Sequence, residues 1–145
     1  NDIQNFNKIQ NLNECYKNSV LAMIHSQYDG KIEEKIKKKI KVKGKDLENL
    51  MYNFLEEILF LIDTKGFLIS KVKIKISEDK KTLKNQGFLA PKKQEVFKVL
   101  EADLIGDEIK NYELTWEVKA VTYNEMFVRY DLKNKRWVAQ VVIDV

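Results

Sequence analysis

A chain of 145 residues with 44% hydrophobic side chains can bury one core comfortably and is short for two. One proline, five glycines and no Ser/Pro/Gly-rich linker leave residues 1–145 to fold as a single unit. The net charge of +4 is carried almost wholly by lysine, the only arginines being Arg129 and Arg136, which disfavours sequence-specific reading of bases by bidentate guanidinium groups.

In chain order, Asn1 is not an initiator methionine, so residues upstream are expected to be missing. The first residues lack the basic start and apolar stretch of a signal peptide, and the longest apolar run, Ile58 to Ile62, is too short to span a bilayer. An intracellular protein, cytoplasmic or nuclear, with no membrane partner is the expectation. Asp2 to about Ile9 is expected to form a short first strand. Leu12, Cys15, Tyr16, Ser19, Val20, Met23 and Ile24 then recur at spacings of three and four, which predicts a helix from Leu12 to Tyr28 stopped by Asp29-Gly30. Cys15 lies on that stripe and fits a buried apolar role in a reducing compartment rather than a nucleophile.

Ile36, Ile40 and Val42 alternate with Lys37, Lys39, Lys41 and Lys43, which reads as a strand, although Ile32, Ile36 and Ile40 also suit a helix. Asp46 caps a predicted helix to about Asp63 with Leu47, Leu50, Met51, Phe54, Leu55, Ile58, Leu61 and Ile62 buried, and Gly66 ends it. Phe67 to Ser77 alternates Val72, Ile74 and Ile76 with Lys71, Lys73 and Lys75, a strand with one face in and one out. Glu78 to Glu95 is polar, lysine-rich and holds Pro91, as an inserted loop or hairpin extension would. Val96–Ile105, Thr115–Tyr123, Glu125–Tyr130 and Arg136–Val145 complete the strands. The fold class is α+β: two amphipathic helices on a largely antiparallel sheet of about six strands.

Four blocks resemble the archease family. Asp46 to Asp63 is similar to its second helix, typically DLESLLVDWLNELLFLFD, and Leu21-Ala22-Met23 through Asp29 to the end of its first. Glu117 to Met126 resembles its EVKAVTYHEM block, and Val142-Ile143-Asp144-Val145 its C-terminal signature. The match runs over most of Leu12 to Val145. The sequence departs from the family where a DHTAD-like opening is reduced to Asn1-Asp2, where Thr115-Trp116-Glu117 stands for GTE, where Asn124 replaces a histidine, and in the extra Glu78–Glu95 segment.

The chemistry expected of a site follows in two steps. Asp144 beside the Val145 carboxylate puts two hard oxygen donors at one strand end, which suits a divalent cation. The resemblance implies a metal pocket of Asp2, Asp29 and Asp144 with the Val145 carboxylate close by, taking Ca²⁺ in preference to Mg²⁺ or Mn²⁺. It also implies a functional Lys119, contacting an anionic group of a partner. No local calcium loop occurs, and His25 and Cys15 lack zinc-type spacing. The function implied is activation of the GTP-dependent RNA-splicing ligase by a protein without turnover of its own, with RNA contacted weakly or indirectly. Two other readings compete: a lysine-rich RNA-binding module, and a metal-dependent phosphoesterase using Asp2, Asp29 and Asp144. The lysine ladders themselves read as solvated faces that block edge pairing.

Overall fold

A computed structural model describes the backbone of residues 2–83 and 93–145, and side chains from 11 to 80 and from 95 onward. Asp46 opens the central helix: its carboxylate accepts the Asn49 amide N–H at 2.7 Å, satisfying one of the orphan donors of the first turn. The helix it caps, α2 (Leu47–Asp63), buries Leu50, Met51, Phe54, Leu55, Ile58, Leu59, Leu61 and Ile62. That is a wider arc than one sheet could cover, and α2 accordingly packs against strands of both sheets. Past Thr64, Gly66 takes a φ of 61°, a left-handed turn that glycine adopts without steric cost.

The first helix, α1, runs from Asp2 to Gln27. The strand expected over Asp2–Ile9 is therefore corrected to helix. Its apolar residues, Ile3, Phe6 and Ile9, recur every third position and lead into Leu12, a spacing nearer to a helical turn than to the period of two that a strand needs. Tyr16, Val20, Met23 and Ile24 are buried, and the Tyr16 hydroxyl donates to the Leu47 carbonyl, pinning α1 to the start of α2.

Five strands lie in the described residues, where about six were expected, and they split into two antiparallel sheets. The first sheet has the order β1-β3-β2, with β1 Ile36–Gly44, β2 Phe67–Leu83 and β3 Lys93–Glu108. β1 pairs only with the later part of β3, so β2 and β3 run on together as a two-stranded arm. Within the Glu78–Glu95 segment, expected as an inserted loop or hairpin extension, 78–83 and 93–95 are strand, and 84–92 lie outside the described residues. A bulge between Ile69 and Lys71 faces Gly106, where an added Cβ would sit 1.9 Å from the Leu68 carbonyl oxygen.

The second sheet pairs β4 (Ala120–Asp131) with β5 (Arg136–Asp144). The two strands expected at Thr115–Tyr123 and Glu125–Tyr130 are one, beginning at Ala120 and interrupted by a register shift between Thr122 and Phe127, where Glu125 has a φ of 55°. α1 touches β2 and β5, and α2 touches β1 and β4, so the helices form the layer joining the two sheets. The α+β class stands, with the core between two sheets instead of on one. No described helix is long and apolar enough to cross a membrane.

Candidate functional site

The geometry turns on Gln27, a residue with no place among the candidates from sequence. It is the last residue of α1, only 1% exposed, and polar on an otherwise apolar face. Its carbonyl accepts the Thr115 N–H at 2.7 Å and its side-chain oxygen accepts the Val118 N–H at 3.1 Å. Thr115 and Val118 therefore give their backbone donors to the end of α1 instead of to a neighbouring strand, which explains why Thr115–Val118 is not ladder, contrary to the strand expected there.

One residue further on, the Lys119 N–H donates to the Asp144 carbonyl at 2.7 Å, and Ala120 faces Asp144 across the β4–β5 ladder. The links run Gln27 to Val118, then Lys119 to Asp144. Through them the end of α1, the loop before β4 and the end of β5 meet at one corner. Asp29 follows Gln27 by two residues, and the side chains of Asp29, Lys119, Asp144 and Val145 are all exposed. Asp63, at the end of α2, faces the same loop: burial and then the neighbouring Glu117 carboxylate push its carboxyl above the usual aspartate range.

Asp2 is not brought to this corner. It begins α1 and Gln27 ends it, so 26 residues of continuous helix set them roughly 37 Å apart at about 1.5 Å per residue. Among the described residues no group of three His, Cys, Asp or Glu side chains is close enough to hold a metal ion. Asp29 and Asp144 have the right chemistry for a hard cation, but the described donors do not make a closed ligand set. Gln27 and Asp63 were missed because a lone glutamine on an apolar stripe and an aspartate at a helix end carry no motif. The signal available in the sequence was Gln27 falling four residues after Met23 on the buried face.

The model of the Archease protein family (MTH1598/TM1083) matches residues 2–145. The chain belongs to the archease family. The archease of Pyrococcus abyssi is 34% identical over 117 residues, covering 79% of this chain and 71% of that protein, and that of Pyrococcus furiosus is 35% identical over the same length and shares. The archease of Sulfurisphaera tokodaii is 30% identical over 139 residues, 94% of this chain and 86% of its own. The fold is similar to the solution structure of Methanobacterium thermoautotrophicum protein 1598, with a TM-score of 0.62 at 24% identity over 91% of this chain and 83% of that one. The archease match takes in the whole corner, from Gln27 and Asp29 through Thr115–Lys119 to Asp144.

Proposed function

We propose that this archease-family protein activates the GTP-dependent RNA-splicing ligase, which joins 3′-phosphate or cyclic-phosphate RNA ends to 5′-hydroxyl ends, and that it acts through the corner formed by Lys119 and Asp144. The observation that carries this reading is the Lys119–Asp144 backbone bond. It holds the backbones of Lys119 and Asp144 together at a strand end braced by α1, and both side chains, one cationic and one anionic, are exposed there. Lys119 contacts a phosphate or carboxylate in the partner's nucleotide site as a compact point charge. Asp144 and Asp29 offer hard oxygens on the same corner, where a divalent cation, Ca²⁺ before Mg²⁺ or Mn²⁺, would be held loosely with water completing its shell.

Activation of this kind requires differential affinity. The protein must bind the ligase state competent for guanylylation of its histidine more tightly than the stalled state, since equal affinity shifts nothing. A tenfold stimulation corresponds to about 1.4 kcal/mol of such preference. The phosphoesterase reading loses its geometry, because it needs Asp2 beside Asp29 and Asp144 and α1 sets Asp2 at its far end.

The experiment is guanylylation of the ligase with GTP, followed with and without this protein. Wild type is expected to raise the guanylylation rate and permit repeated turnover, and Lys119→Ala and Asp144→Ala each to lose most of the effect while keeping the wild-type melting temperature. Wild-type stimulation by both variants would remove the corner from the function.

A further inference from the structure

The β1-β3-β2 register places lysines in rows. On the outward face of this sheet the cross-strand sets are Lys37–Ile105–Lys71, Lys39–Asp103–Lys73 and Lys41–Glu101–Lys75. Each row carries a lysine on either outer strand and an acidic or apolar residue on the middle one. Neighbouring strands stand about 4.8 Å apart, so the two lysine rails run about 10 Å apart, with about 6.7 Å between successive lysines of a rail.

A concavity of about 500 Å³ follows the second and third rows. Of the rail lysines, Lys39 pairs with Asp103 at 3.8 Å and Lys71 with Glu34 at 2.8 Å. Lys37, Lys41, Lys73 and Lys75 have no ion pair among the described residues. Blocking edge pairing needs a charge or two on an edge strand, and two complete rails exceed that.

We infer that this face is a docking surface for the phosphate backbone of double-helical RNA. The inference stands on the sheet alone and goes beyond the activator reading. Protein interfaces are depleted in lysine and built around aromatic or arginine anchors, and these rows contain neither. Single-stranded RNA is gripped by aromatic side chains that stack on bases, also absent from the rows. What remains is attraction to phosphate. Two parallel positive rails separated by one strand complement the closely set phosphate rows flanking the deep, narrow major groove of A-form RNA. Contact through lysines alone gives no sequence preference, with affinity in the range of about 10⁻⁴ to 10⁻⁶ M.

The test uses this protein without ligase and a fluorescent RNA duplex of about two helical turns. Binding is expected at low salt, with a log–log salt slope of about −3.5 for roughly four neutralised phosphates. Lys41→Ala and Lys73→Ala are each expected to weaken binding and to shrink the slope by about 1, whereas Lys133→Ala, in the β4–β5 turn, leaves both unchanged. An equal loss in Lys133→Ala would overturn the inference. So would tighter binding of oligouridine than of duplex, equal competition by polyglutamate, which would mark an acidic-protein surface, or no binding at low salt. Ligase stimulation is measured separately, so failure here leaves the activator reading standing and failure there leaves this one.

Discussion

Gln27 shows how much one buried polar side chain can organise. Replacing it with leucine keeps the volume roughly constant and leaves the Val118 N–H without an acceptor, at a cost of about 1–3 kcal/mol. Gln27→Leu is expected to lower the urea midpoint and to loosen the loop carrying Lys119, read as faster hydrogen exchange at Val118 and Lys119. A second residue pair makes a pH prediction. The buried Asp107 carboxylate accepts from the Tyr112 hydroxyl at 2.8 Å, from the Glu108 N–H and from Asn111. The Tyr112 hydrogen bond is foremost in holding its carboxyl below the usual range. Because the folded form is the stronger acid, its contribution to stability is present above the ordinary aspartate value of about 3.9 and lost as the pH falls through the lower folded value. Tyr112→Phe is expected to flatten that acid limb in melting temperature measured against pH, and an unchanged limb would place the acid sensitivity elsewhere.

The elements differ in how plainly the sequence announced them, for physical reasons. α2 was legible to the residue, since the Asp46 cap, the apolar stripe and Gly66 all point to one helix. β2 was legible from strict alternation of lysine with Val and Ile over Lys71 to Ile76, and β1 less plainly, since Lys38 breaks the alternation and Ile32, Ile36 and Ile40 also suit a helix. The start of α1 was not, because three apolar residues scattered among asparagines carry too weak a period to decide between helix and strand. The single β4 was not either: a bulge leaves alternation intact on both sides and hides the continuity of the strand. Two substitutions follow at this scale. Asp46→Ala is expected to cost about 1 kcal/mol in chemical unfolding through loss of the cap. Glu125→Gly is expected to relieve the left-handed strain at a φ of 55° and to raise stability in the same chemical unfolding by up to about 1 kcal/mol.

At the scale of the whole molecule, the two sheets and two helices bring three distant stretches to one corner: the end of α1, the loop before β4 and the end of β5. Residue types alone could suggest that Asp144 and Lys119 matter, but not that they are neighbours. That adjacency comes from the β4–β5 register and the Gln27 clamp, neither of which has a local signature. The other surface of interest, the lysine face, belongs to the three-stranded sheet. The molecule thus presents one compact mixed-charge corner and one broad basic face, suited to different contacts.

The central claim is that Lys119 and Asp144 act as one site on the ligase. The most direct measurement is a double-mutant cycle on the ligase guanylylation rate, with Lys119→Ala, Asp144→Ala and the double variant. A single site predicts that the double variant loses little more than either single one. Fully additive losses, or wild-type stimulation by the double variant, would contradict it.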